Sequence, residues 1–357
     1  MDLYVLDSNY TPIAVIDAYK SLIWTKRYYT CGDFELYVPA DRNLLQYLQP
    51  DNFITREDDD SVMVIEKLEI KTDAENGDFF IVSGRSLESI LLRRIFKRPV
   101  TISVSDPIQG IKALIDACTA DEGTGTHVQH WRNITNLVVD DSFSIEETLK
   151  AQFTGDTLLD AISSIAMRFG FGFKMTISNS QFVLSFYQGE EIDVVFSPEF
   201  DNLINSNYVY DKTNFANYVY VAGEGEGNQR RGHGELRYDL PTDEHYYDPL
   251  GIALREVYVD ARDLSSNNGE IDGIEYGNLL GERANEKFSD CSITKTFEAE
   301  IEPRASFKYK EDYNLGDIVE VTTEYGVTAH PRITEIIESW DETGYTVVPT
   351  FEELEVE

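Results

Sequence analysis

The chain has 357 residues, 42% hydrophobic and 12% aromatic, and its 30 Lys and Arg against 65 Asp and Glu give a net charge of −35. That length exceeds what a single core serves and implies two or more domains. The acidity excludes a surface built to grip nucleic acid, because phosphate binding needs basic patches; it does not exclude a protein past which DNA slides.

The three cysteines, Cys31, Cys118 and Cys291, are odd in number and far apart, which suggests neither a disulfide framework nor a metal knuckle. The start, Met1-Asp2-Leu3-Tyr4-Val5-Leu6-Asp7, has no basic n-region or long apolar core, and no later run approaches ~18 apolar residues. A product made in soluble form in the cytoplasm is expected, with any export as part of something larger. No membrane insertion, cofactor or metal is expected.

In chain order, short β-rich runs come first: Leu3 to Leu6, Ala14 to Asp17, Ser21 to Tyr28 and Phe34 to Val38. Val62 to Lys71 then pairs with Phe79 to Ser83 across Glu75-Asn76-Gly77-Asp78. Ser86 is expected to open a helix with Leu87, Ile90, Leu91 and Ile95 inward; it carries the one strongly basic cluster, Arg93, Arg94, Lys97 and Arg98, read as a solvated face or an intersubunit salt-bridge partner. Asp106 caps a helix with Pro107 in its first turn, and a second helix runs from about Asp156 to Gly170. Between them His127 and His130 lie three apart, with no Cys or third ligand nearby to make a metal site. A hairpin of Phe173 to Ile177 and Phe182 to Tyr187 follows over Ser178-Asn179-Ser180. Tyr208 to Tyr210, Ala216 to Ala222, Gly234 to Tyr238 and Arg255 to Val259 are strands, Ile274 to Phe288 is a helix, Ser292 to Ile301 is a strand, and the tail from Tyr313 is a compact β motif.

Gly223-Glu224-Gly225-Glu226-Gly227 follows an apolar strand and superficially resembles a phosphate-cradling loop. It lacks the sixth-position glycine, which is Asn228, a helix to follow, and the absence of negative charge that an anion requires. The expected role is a weakly ordered connection between Gly223 and Gly234, leading out of a strand of the second β unit and available for assembly.

The two ends of the chain share a pattern. Gly32-Asp33 leads into a strand and later a hairpin from Ile65 to Gly77; Gly316-Asp317 leads into a strand and later a hairpin from Ile333 to Gly344. Two related β-barrels separated by α/β material are expected.

The sequence resembles the tail hub proteins at the distal end of siphovirus tails. The resemblance rests on Tyr29-Thr30-Cys31-Gly32-Asp33-Phe34-Glu35-Leu36-Tyr37-Val38-Pro39, Gly84-Arg85-Ser86-Leu87 before Leu91-Leu92-Arg93-Arg94-Ile95, and Val221-Ala222-Gly223-Glu224-Gly225-Glu226-Gly227 with Arg255-Glu256-Val257-Tyr258-Val259-Asp260-Ala261-Arg262-Asp263-Leu264. It closes on Leu315-Gly316-Asp317-Ile318-Val319 and Arg332-Ile333-Thr334-Glu335. The family implies a homotrimeric ring at the virion tail tip, with two β-barrels per subunit in a pseudo-sixfold collar. Implied partners are the tail tube, a distal tail protein, the tape-measure protein and a fibre or tip protein, with DNA crossing the lumen without specific binding. A prophage source is equally compatible. Longer relatives continue into hydrolase or receptor-binding regions, whereas this chain ends at Thr350-Phe351-Glu352-Glu353-Leu354-Glu355-Val356-Glu357, so attached enzymatic activity is not expected.

The resulting expectation is an α+β, β-rich multidomain fold. Residues 1–99 form the first barrel with its terminal helix, 100–197 an α/β domain, 198–259 with 302–357 the second barrel, and 260–301 a small α/β insertion. The rival readings are a receptor- or cell-wall-carbohydrate-binding module and a cell-wall hydrolase. For the latter, neither a Gly-x-Ser-x-Gly elbow nor a His-Glu-x-x-His zinc motif is present, and the run Glu57-Asp58-Asp59-Asp60 reads as a solvated loop.

Overall fold

Along Asp33–Pro39 the side chains of Phe34, Leu36 and Val38 are buried while those between them face outward, the period of a strand with one wet face. Alternating burial recurs along Gln181–Tyr187, Glu256–Asp260 and Ile318–Thr322 within a β-dominated fold. The computed structural model describes residues 1–72, 77–120, 132–237, 251–266, 271–301, 307–322, 325–326 and 328–353, with backbone alone at 204–206, 294–301 and 353.

The first part contains β1 (Leu3–Leu6), β2 (Pro12–Ile16), β3 (Ser21–Arg27), β4 (Asp33–Pro39), a short helix α1 (Arg42–Leu45), β5 (Phe53–Arg56), β6 (Val62–Lys71), β7 (Phe79–Ser86) and a 3₁₀ helix, Leu87–Arg93. The middle contains β8 (Val100–Val104), α2 (Pro107–Thr119), β9 (Leu137–Val139), β10 (Leu149–Phe153), α3 (Leu158–Phe169), β11 (Gly172–Ser178) and β12 (Gln181–Tyr187). Then come β13 (Glu191–Phe196), β14 (Leu203–Asp211), β15 (Tyr218–Ala222), β16 (Gly232–Leu236), β17 (Glu256–Asp260), α4 (Gly273–Asp290) and β18 (Thr294–Ile301). The last part holds β19 (Ile318–Thr322), β20 (Thr328–Ala329), β21 (Pro331–Asp341) and β22 (Gly344–Glu353).

One sheet runs through both ends of the chain in the order β14-β18-β22-β21-β3-β4-β7-β6-β5-β1-β2, with β19 branching from β21 and pairing β13 and β20. The order is open, ending at β2 and β14, so no closed barrel is found among the described residues. The halves join where β21 lies antiparallel to β3, from Glu335 opposite Arg27 to Trp340 opposite Leu22.

The end-to-end similarity is real in the hairpins and fails in the strand order. In β6–β7 the register slips just after Ile65, and in β21–β22 it slips just after Ile333, so a one-residue bulge follows the corresponding isoleucine in each. The strand after Gly32-Asp33 pairs with the second arm, β7, whereas the strand after Gly316-Asp317 pairs with the first arm, β21. The two glycines share a physical reason: a Cβ on Gly32 would stand 2.0 Å from the Thr25 carbonyl oxygen, and one on Gly316 would stand 2.3 Å from the Tyr28 ring.

Two cores flank the first half. Trp24, Phe34, Leu36, Met63, Ile65 and Val82 fill one; on the other side Leu6, Phe53, Val62, Val64, Leu87 and Leu91 merge with α2, α3 and the β11–β12 hairpin in a continuous core. Phe196, Val321, Ile333, Ile336 and Phe351 fill the core of the second half. The capping expectations hold: Asp106 accepts from the Ile108 amide with Pro107 at the start of α2, and α3 ends at Gly170.

Three expectations are corrected. The segment after Ser86 is a 3₁₀ helix, and Ser86 does not cap it: its hydroxyl accepts the Gly32 amide (2.8 Å). Tyr218–Ala222 does not belong to the second half's sheet; it is the middle of a separate sheet, β16-β15-β17, covered by α4 through Val219, Val221, Tyr276, Leu280 and Phe288. The glycine-rich segment after it is a pinned hairpin: the Gly223 amide donates to the Arg231 carbonyl and the Arg231 amide to the Glu224 carbonyl, Arg230 donates to the carbonyls of Ala222 and Gly223, and Arg231 pairs with Glu224 (3.0 Å) over the Tyr276 ring. The turn residues Glu75 and Asn76, the pair His127 and His130, and Tyr238 lie outside the described residues.

Candidate functional site

The strongest concentration of buried charge lies along the seam between the halves. Arg56, at the end of β5, is fully buried and donates to both oxygens of Glu338 on β21 (2.8 and 3.2 Å), while Tyr345 donates to Glu338 Oε1 (2.9 Å). Its guanidinium lies over the Trp340 ring (4.3 Å) and near that of Trp24 (5.4 Å). Burial opposes the charge on Arg56, but Asp58 and Glu338 more than offset it and hold its pKa above the usual arginine value.

The acidic run expected to be a solvated loop is the bolt of this seam. Asp58 takes two bonds from Arg56 (3.0 and 2.6 Å). Asp59, with a side chain only 2% exposed, pairs with Lys26 of β3 and with Lys310 of the second half (2.6 Å). Asp60 pairs with Lys174 of the β11–β12 hairpin (2.7 Å). Burial alone would raise the Asp59 carboxyl; Lys26, Lys310 and Ser61 hold it well below the usual carboxylate range instead. Three consecutive aspartates therefore reach cations in three parts of the fold. On the outer face Arg27 extends the seam, bonded to Asp33 and to Glu335 (2.5 Å each).

Tyr28, just beyond β3, pins the middle of the chain to both halves. It is fully buried, its hydroxyl donates toward the Gly170 and Tyr187 carbonyls (3.3 and 3.4 Å) and accepts the Gly189 amide (3.2 Å), and Arg332 lies over its ring (5.3 Å). Arg332 in turn donates to the Gly316 carbonyl (2.6 Å), and Asp317 accepts the amides of Glu190 and Asn314 (3.0 and 2.7 Å). Each Gly-Asp pair singled out in the sequence thus sits at a joint.

The basic cluster is divided. Arg93 faces Asp51 (3.5 Å), Arg94 donates to the carbonyl of Arg132 (2.6 Å), and Lys97 and Arg98 are exposed. Among the described residues no group of three or more His, Cys, Asp or Glu could hold a metal ion, and no helix is long and apolar enough to cross a membrane. The arrangement is chemically a joint: one charge pair, Arg56–Glu338, closed to water, flanked by partly exposed pairs, with carboxylates such as Glu35 left exposed on the sheet face.

A model of the Siphovirus ReqiPepy6 Gp37-like protein family matches residues 2–351. The chain belongs to that family. No curated protein matches it. Among solved structures, this Gp37-like chain is similar to the tail protein from Neisseria meningitidis MC58, with a TM-score of 0.57 at 12% identity over 98% of this chain and 96% of that one. The 43 kDa tail protein of prophage MuSo2 from Shewanella oneidensis gives 0.55 at 11% identity, covering 98% of each chain. The prophage tail protein gp18 from Listeria monocytogenes EGD-e gives 0.54 at 11% identity, covering 100% and 96%. At such identities the likeness is one of fold: the Gp37-like chain has the β-rich fold of phage and prophage tail proteins over its whole length.

Sequence reasoning located the Gly-Asp joints and missed the bolt. The signal available was Glu57-Asp58-Asp59-Asp60 lying between two apolar strands, but its partners Lys26, Lys174 and Lys310 are too distant in sequence to name without the fold.

Proposed function

We propose that the chain is a structural hub subunit of the phage tail tip, assembling as a homotrimeric ring that joins the tail tube to the distal tip and lets the tape-measure protein and DNA pass. The observation carrying this reading is the seam: a single chain holds two β halves, each built round a bulged hairpin, in one sheet locked by Arg56–Glu338 and Asp59–Lys310. Three such chains would present six β modules around a lumen, each half completing its barrel-like curvature only in the ring. The open sheet ends fit this role, with Val15 exposed on β2 and Val209 on β14 available for subunit contacts.

On this reading the α/β material between the halves decorates the outside of the ring. The second α/β unit extends over β15, β16, β17 and α4, roughly residues 216–291, and the second β half comprises the segments on either side of it. Carboxylates left unpaired on the sheet face the lumen and repel DNA phosphates, so the genome does not arrest there. The distal tail protein, tail tube and a fibre or tip protein would contact the two rims.

Light scattering on the purified chain, alone and with its distal tail partner, tests the assembly: the expected particle is about 122 kDa, three copies of 40.7 kDa. A monomer at every concentration, unchanged by the partner and active on cell walls, would overturn the reading.

A further inference from the structure

At the meeting point of β3, the β11–β12 hairpin and the segment before β19 lies a cavity of about 300 Å³, the low end of the range for small-molecule sites. Glu88 lines it and is the most unusual group there. Its Oε1 accepts the Met175 amide (2.6 Å), while its Oε2, shut off from bulk solvent, has no partner. The hydroxyls of Tyr187 and Tyr309 and the side-chain amide of Asn314 also line the cavity without a hydrogen-bond partner among the described residues. Phe173 and Leu315 supply apolar wall.

Charge does not explain the site. Each cation at the cavity is already matched: Lys26 by Asp59, Arg27 by Asp33 and Glu335, and Lys174 by Asp60. An anion would have to displace a carboxylate, and a cation would meet those lysines and arginine. An apolar ligand would leave the tyrosine hydroxyls desolvated and unpaired, at a cost of about 1–3 kcal/mol for each group. A neutral molecule with several hydroxyls and one apolar face satisfies both kinds of wall.

We propose that this cavity binds a neutral polyhydroxylated ligand of monosaccharide size, hydrogen-bonded to Tyr187, Tyr309 and Asn314, with its apolar face against Phe173 and Leu315. The site goes beyond the assembly role, and its success or failure leaves the trimer untouched.

The probes are D-galactose and N-acetyl-D-glucosamine, titrated calorimetrically into the full chain, with choline chloride and sodium sulfate as charged comparisons. At least one sugar should bind saturably with a Kd on the order of 1 mM. Tyr309→Phe and Tyr187→Phe, which keep the rings, should each weaken it about fivefold or more. Asn314→Ala, at an exposed position, provides the same test without touching buried rings. Saturable binding lost in these variants supports the site. Four results overturn it: no saturable heat with either sugar about a hundredfold above that Kd, an unaltered isotherm in the Tyr187→Phe/Tyr309→Phe chain, an unaltered isotherm in Asn314→Ala, or saturable binding of the charged probes in place of the sugars.

Discussion

Arg56 and Glu338 are 282 residues apart in the chain and form a closed two-point ion pair, 2.8 and 3.2 Å, with side chains 0% and 2% exposed. Removing one partner leaves the other charged and buried. Glu338→Ala should therefore destabilise the chain by about 3–5 kcal/mol, and the apolar double replacement Arg56→Met/Glu338→Leu should recover much of the loss. Urea unfolding of the three chains measures this, and a single-variant loss no greater than that of the double variant contradicts it.

Asp59 gives the seam an acid-sensitive element. Its folded pKa is depressed, so its contribution is present above the ordinary carboxylate value and disappears as pH falls through the folded value. Asp59→Asn should cost about 2–3 kcal/mol at neutral pH, and the gap between the two chains should narrow on acidification. Denaturant midpoints across an acidic pH series test the sign.

Glu88 works in the opposite direction. Its folded pKa is raised by burial, so the stability it contributes is fully present below the ordinary carboxylate value and is lost as pH rises through the folded value. Glu88→Gln cannot ionise and should become the more stable chain as pH rises, by about 1–3 kcal/mol once the wild-type carboxyl is charged. Parallel stability curves for the two chains over the same range would contradict this account.

Gly316 packs directly against the Tyr28 ring at the joint. Its φ is +99° and an added Cβ would lie 2.3 Å from the Tyr28 ring, a position fixed on its other sides by Gly170, Tyr187 and Gly189. Gly316→Ala combines backbone strain with a clash and should destabilise by about 2–4 kcal/mol. If thermal unfolding shows the alanine chain within about 0.5 kcal/mol of the parent, the joint is looser than described.

The sequence made local structure legible wherever the pattern was local. Alternation marked β4 and the β11–β12 hairpin, and capping residues marked α2 and α3. The bulged hairpins were visible as a repeat because turn glycines and spaced isoleucines lie on continuous runs. What could not be read was partnership. Tyr218–Ala222 has the same apolar pattern whether it joins the large sheet or packs under α4, and only the long-range contact with Tyr276 and Leu280 decides. Asp59 reads as a loop aspartate because its burial is made by Lys310, 251 residues away. The glycines after Ala222 suggested mobility, yet Arg230 and Arg231 close the segment on itself.

The central claim is that three chains close into a ring with six β modules. Rotational averages of the purified assembly by electron microscopy test it most directly. The account predicts a central hole bordered by six similar lobes, with threefold decoration outside them. Particles with no hole, or with twofold symmetry, would contradict it.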